Sequence, residues 1–123
     1  MMKRSIVTLG IVAGVMAGVV SGPVLAGQTP DPAKIAAGQK IYDTEKCNTC
    51  HQIKGVGGKL STALDGVGGK LSEPDIRKWL TTPAAMETTL PKKPPMPMST
   101  YLKSHKLVDA DVDALTAYML SLK

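Results

Sequence analysis

The feature of the sequence that most constrains the fold is the pentapeptide Cys47-Asn48-Thr49-Cys50-His51. It holds both cysteines of the chain and one of its two histidines. A disulfide between residues three positions apart would close a very small loop and remove little entropy from the unfolded chain. A thioredoxin-like dithiol needs a βαβ pattern around it, and the sequence shows none. A zinc site needs a second pair of ligands, and among the cysteines and histidines only His105 lies outside the pentapeptide.

The order Cys-x-x-Cys-His is instead the attachment signature of c-type haem. Cys47 and Cys50 are one helical turn apart, so their sulfurs face one side of the backbone and can add to the two vinyl groups of a haem edge. His51 then becomes the proximal ligand of the iron. One covalent haem c is therefore the predicted cofactor, with a disulfide or a redox dithiol as the alternative.

The composition also favours a large buried cofactor. The chain has no Phe, one Trp and three Tyr, which is little aromatic material for a hydrophobic core. Domains of about 100 residues or fewer bury little surface and often need a covalent or metal staple. A porphyrin with apolar faces would supply the centre of such a core, and no catalytic residues are predicted beside it.

The first 26 residues have the three-part layout of a secretory signal peptide: basic Lys3 and Arg4, an apolar stretch over residues 6–20, and small residues before a cleavage site after Ala26. An apolar stretch of 15 residues is shorter than the roughly 20 that a membrane-spanning helix needs. The predicted domains are thus a signal peptide, 1–26, and a mature domain, 27–123, in the periplasm or another exported compartment. An uncleaved N-terminal anchor is the alternative.

The first of three predicted helices begins after Asp31, a favourable N-cap, with Pro32 at the first helical position. It leads directly into the pentapeptide. Its predicted buried face consists of Ile35, Gly38, Ile41 and Tyr42.

The other two helices lie in the second half of the chain. One begins with Ser72 and Asp75 as a capping pair and stops before Pro83. Its predicted apolar face consists of Ile76, Trp79 and Leu80, with Trp79 as the expected main contact. The last begins with Asp109 as its expected N-cap. Its apolar face is predicted to consist of Val112, Leu115, Tyr118, Met119 and Leu122.

A glycine-rich repeat of six residues occurs at 55–60 and again at 66–71. It is not a phosphate-binding loop, because Leu60 and Leu71 stand where that motif requires Ser or Thr. The glycines are expected to let the backbone turn sharply near the haem edge.

Taken in order, these features resemble the class I monohaem cytochrome c family over residues 27–123: a helix, the haem motif, a glycine-rich loop, a short helix with Trp79, a proline-flanked methionine and a final helix. The resemblance implies an all-α fold, a small cytochrome c fold with three to four helices around a covalently bound haem c. It implies that Gly38 contacts Tyr118, and that the segment 64–69 passes near His51. The segment 83–106 departs from the family pattern, since it is rich in proline and lysine and has two close methionines.

The second axial ligand of the iron is expected from this segment, because methionine is a soft thioether ligand and the segment contains the two close methionines. Met/His pairing raises the reduction potential of haem iron. Met96 is preferred, since Pro95 and Pro97 restrict its backbone and a Met-Pro pair resembles the family's ligand loop. Met98 is the rival, with Tyr101 three residues later as in the family. The remaining candidates are given other roles: Met86 and Met119 are assigned to packing, and His105 to the surface.

The charge leaves the choice of partner open, and nucleic acid is not expected for an exported chain with few aromatic residues and few arginines. The whole chain carries +5, and residues 27–123 retain 13 basic and 10 acidic side chains, with few arginines. A cluster of Lys92, Lys93, Lys103 and Lys106 can steer acidic partners, or can be an ordinary solvated surface.

We therefore expect a soluble, monomeric electron-transfer protein, not an enzyme, that carries one electron between other redox proteins outside the cytoplasm. The alternatives are a haem subunit of a dehydrogenase complex, and an open-site haem enzyme or gas-binding protein. In the open-site alternative the methionine ligand is absent or labile.

Overall fold

Six α-helices form most of the structure, a computed structural model that describes residues 29–123. The predicted signal peptide lies outside the described residues. A single 3₁₀ turn, Cys47–Thr49, and a two-stranded antiparallel hairpin separate the first helix from the others. The elements in chain order are α1 (Pro32–Thr44), β1 (Gln52–Ile53), β2 (Val56–Gly57), α2 (Val67–Lys70), α3 (Glu73–Thr81), α4 (Pro83–Glu87), α5 (Met98–Ser104) and α6 (Asp109–Ser121).

Helices α1 and α6, the first and last of the described chain, form the largest interface between any two elements. Gly38 of α1 is buried there, and a Cβ atom built on it would lie only 2.7 Å from the Cβ of Tyr118 and would also overlap the Ala114 carbonyl. The missing side chain is what allows the two backbones to approach so closely. The expected contact between Gly38 and Tyr118 is confirmed.

An aromatic pair completes this crossing. The rings of Tyr42 on α1 and Tyr118 on α6 meet edge to face, with centroids 5.8 Å apart and an interplanar angle of 68°. This geometry is favoured by the quadrupoles of the two rings. Ile76, Leu115 and Met119 extend the same buried cluster.

We predict that Gly38→Leu destabilises the domain by about 1–3 kcal/mol, because the added side chain must push α6 away from α1. Ala37→Leu is the matched control, since Ala37 is the adjacent, exposed residue of the same helix. Chemical denaturation of both variants measures the difference in unfolding free energy. Equal midpoints for Gly38→Leu and the control would show that the crossing tolerates a side chain.

The predicted starts of the helices are largely confirmed. The Asp31 carboxylate accepts a hydrogen bond from the Ala33 N–H at 2.9 Å, as expected of an N-cap. The last helix differs by one residue: Val108 occupies the N-cap position and Asp109 is the first helical residue. The reason is that the Asp111 carboxylate reaches back to accept from the Val108 N–H at 3.1 Å.

Helix α3 begins as predicted, with the Ser72 hydroxyl accepting from the Asp75 N–H and donating to the Asp75 carboxylate. Of its predicted face, Ile76 is 3% exposed and enters the core, whereas Trp79 and Leu80 are partly buried. An ion pair between Arg77 and Asp113 joins α3 to α6.

The all-α class is confirmed, but there are more helices than the three to four expected. The additional ones, α2, α4 and α5, have four, five and seven residues. Segments this short contain too few turns to show a helical period in their apolar residues. Across residues 29–123, none of the helices combines the length and the apolar character needed to cross a bilayer.

The two glycine repeats turn the backbone sharply, as expected, since Gly55, Gly57 and Gly66 all have positive φ. In the first, Gly57 and Gly58 bring the hairpin onto the cysteine segment, residues 47–51, and the Gly58 N–H donates to the Asn48 carbonyl at 2.8 Å. In the second, Gly68 lies against the Leu120 carbonyl, and its N–H donates to the Leu122 carbonyl at 2.8 Å. The second repeat thus packs on the end of α6.

Candidate functional site

The cysteine segment forms a single tight turn after α1. Lys46 has left-handed backbone angles, with φ of 56°, which ends the helix and starts the 3₁₀ turn. The N–H groups of Cys50 and His51 both donate to the Cys47 carbonyl, at 3.3 and 3.0 Å. This turn brings Cys47, Cys50 and His51 to the wall of the same cavity.

That cavity, the central cavity, has a volume of about 700 Å³ and a mainly apolar wall. Its size lies within the range of about 300–1,000 Å³ typical of pockets for organic ligands and cofactors. Each of the six helices contributes to it. Its apolar lining includes Leu64, Leu71, Trp79, Leu80, Leu107 and Leu115.

The His51 imidazole is oriented by the backbone. Its Nδ1 lies 2.8 Å from the Thr62 carbonyl oxygen. Because a carbonyl can only accept, this contact requires a proton on Nδ1 and leaves the lone pair of Nε2 free for a metal ion. A hydrogen bond from the second ring nitrogen to a carbonyl is the usual way in which proteins fix the tautomer of a ligating histidine.

Tyr42 of α1 also contacts the cysteine segment. Its hydroxyl donates to the His51 carbonyl at 3.1 Å. Burial, together with the nearby Cys47, raises the pKa of Tyr42 to about 12. The residue that packs on α6 thus also holds the backbone of the histidine.

The two cysteines are free thiols in the polypeptide. Burial raises the pKa of the Cys47 thiol to about 11. Reactive dithiols and zinc ligands need the thiolate, which a low pKa favours. In the part of the chain that the structure describes, no three His, Cys, Asp or Glu side chains are grouped so that they could hold a metal ion. The wall of the cavity thus holds two thiols beside one imidazole.

The segment predicted to supply the second axial ligand also reaches the central cavity. Met96 and Met98 both line it. Met96 is 50% exposed and stands in the irregular stretch before α5, while Met98 is partly buried and is the first residue of α5. The wall therefore offers two thioethers, and the choice between them is not determined by contact with the cavity.

The other candidates occupy the places expected of packing or surface residues, with one refinement. Met119 is buried in the core and Met86 does not line the cavity. His105 also lies away from the cavity; it is partly buried rather than fully solvated, because its ring stacks on Tyr101 with centroids 4.1 Å apart. Of the four clustered lysines, Lys92 and Lys93 border the cavity, whereas Lys103 and Lys106 do not.

Glu87 and Tyr101 are among the contributors to the site that the sequence analysis does not assign to it. Glu87 lines the cavity and binds Ser99, and no motif marks this pair. Tyr101 lines the cavity too, and its hydroxyl donates to the Glu45 carbonyl at 2.7 Å. The spacing of Tyr101 from Met98 was the only signal that pointed to it.

Comparison with known proteins gives one result. The family model described as "Cytochrome c" matches residues 35–123. No curated protein and no solved structure matches the chain. The match begins within α1 and runs to the end of the chain, and so it includes the cysteine segment, the central cavity and both methionines.

Proposed function

Because the chain belongs to the cytochrome c family, we propose that it carries one electron at a time between other redox proteins outside the cytoplasm. Membership brings with it a covalently bound haem c with iron, and electron transfer on that haem. The bound haem supplies the one-electron couple of its iron. The proposal concerns the residues that hold the haem, the kind of partner and the location.

The observation that carries the proposal is the meeting of Cys47, Cys50 and His51 on one wall of an apolar cavity. The two thiols would form the thioether bonds, and His51, oriented by the Thr62 carbonyl, would bind the iron through Nε2. The leucines of the wall would exclude water from the ring faces. Attachment at two sulfurs prevents the cofactor from dissociating.

Met96 is proposed as the second axial ligand. It lines the same cavity as His51 and stands between Pro95 and Pro97, whose rings restrict the backbone on both sides. Iron with two protein ligands has no open position for a substrate, which suits a carrier and not an enzyme. Met98 is the alternative ligand, and the electron-carrier function would be the same with either.

The proposed location rests on residues 1–26, whose basic, apolar and small-residue regions follow one another as in a signal peptide. A cleaved chain would begin at Gly27 and work as a monomer. The exposed Lys92 and Lys93 at the border of the cavity would favour an acidic surface on the donor or the acceptor.

The spectrum of the exported, purified protein tests the proposed function. We expect the oxidised protein to show the weak far-red charge-transfer band of methionine-ligated haem, and the reduced protein to bind no carbon monoxide. Gel filtration is expected to show a monomer. Carbon monoxide binding without a far-red band would instead establish an open-site haem protein, and a stable complex with a flavoprotein would establish a dehydrogenase subunit.

A further inference from the structure

The end of α4 is joined to the start of α5 by a paired hydrogen bond. One carboxylate oxygen of Glu87 accepts from the Ser99 N–H at 2.8 Å, and the other accepts from the Ser99 hydroxyl at 2.7 Å. Both bonds are partly buried, and both carboxylate oxygens are used. Within residues 29–123 no basic side chain forms a salt bridge with Glu87. Ser99 is therefore the partner that fixes this carboxylate.

The chain between these two residues has little structure of its own. This distal loop, residues 88–97, contains four of the nine prolines, which have no N–H to donate. No backbone N–H of residues 91–98 donates a hydrogen bond to any other described residue. Segments with few internal hydrogen bonds open at low free energy unless something outside them holds their ends. The Glu87–Ser99 pair closes the two ends of this loop.

The far side of the pair is itself anchored. Ser99 belongs to α5, and the Tyr101 hydroxyl of α5 donates to the Glu45 carbonyl, just before the cysteine segment. Helix α5 is thus fixed relative to the turn that carries Cys47. By holding Ser99, Glu87 fixes the loop relative to the same turn.

We propose that Glu87 is a positioning residue that holds the distal loop closed and so keeps Met96 on the haem iron against competing ligands. The proposal rests on the proposed function, in particular on a methionine ligand supplied by this loop. Glu87 itself does not touch the iron in this proposal. It acts through Ser99, which lies one residue after Met98 and three after Met96.

Imidazole binding to the oxidised protein tests this role. In that reaction the bond from iron to the methionine sulfur breaks and a bond from iron to the imidazole nitrogen forms, with no electron transferred. Removing both hydrogen bonds with Glu87→Ala is expected to raise the imidazole association constant about tenfold or more, since bonds to charged groups are the stronger class. Ser99→Ala, which keeps the backbone N–H bond, is expected to give a smaller increase. Glu87→Gln keeps an acceptor for that N–H, and its imidazole association constant is expected to stay close to that of the wild type.

A matched control is Glu73→Ala, which removes an exposed carboxylate paired with Arg77 on α3, away from the cavity. It is expected to bind imidazole as the wild type does. A second readout, independent of imidazole, is amide exchange at Ser99 followed by NMR, which should accelerate in Glu87→Ala and not in the control.

The outcomes separate the two proposals. A wild-type protein without a far-red band shows that the methionine ligand is wrong, and the role of Glu87 falls with it. A wild-type protein with the band, together with Glu87→Ala and Ser99→Ala variants that keep both the band and the wild-type imidazole affinity, overturns the role of Glu87 alone. If Glu87→Ala fails to fold, Ser99→Ala and Glu87→Gln still decide the question.

Discussion

Replacing both Cys47 and Cys50 by alanine is expected to give a polypeptide that no longer stains for haem after denaturing electrophoresis. The two thiols are the only sulfurs that can form thioether bonds, and both line the central cavity. The wild-type band, made in a host that attaches haem to exported cytochromes, should keep its colour under the same conditions. The double variant should also unfold more readily, because a small domain loses the centre of its core with the cofactor.

Met86→Ala is the control for this experiment, since Met86 lies outside the lining of the cavity and has no proposed bond to the haem. It should stain as strongly as the wild type. A wild-type band without colour, or a double variant that remains coloured, would contradict covalent attachment at these two residues.

Met96→Ala is expected to abolish the far-red band and to lower the reduction potential. The iron would lose its soft thioether ligand and take up water or a stronger-field nitrogen, and Met/His ligation is what raises the potential. Absorption of the oxidised protein and a redox titration measure the two effects.

Met98→Ala is the matched comparison, because Met98 lines the same cavity two residues away. It should leave the band and the potential nearly unchanged. The reverse pattern would make Met98 the ligand and leave the electron-carrier function intact. If neither substitution alters the band, a methionine other than the replaced one ligates the iron. If the wild-type protein shows no band, the six-coordinate carrier is wrong and an open-site haem protein takes its place.

The features that could be predicted best from the sequence are those in which a residue acts on its own backbone or on its immediate neighbours. Asp31 and Ser72 cap their helices because a short polar side chain can reach the N–H groups two or three residues ahead. The cysteine segment is compact for a similar local reason, since its turn closes on the Cys47 carbonyl. The family pattern added one long-range contact, between Gly38 and Tyr118.

The contacts that escaped prediction join residues distant in sequence and carry no motif. The Thr62 carbonyl that orients His51 is a backbone atom, so any residue type could provide it. Glu87 and Ser99 are ordinary surface residue types until the fold brings them together.

The interface between α1 and α6 sets the order in which the domain can be completed. Chains are made from the N-terminus, so residues 47–51 exist well before Asp109 begins α6. Until then Gly38 and Tyr42 have no partner at Ala114 and Tyr118, and the wall that Leu115 and Met119 provide is missing. The cavity that Cys47 and Cys50 line is therefore complete only when the last helix to be synthesised has packed on the first.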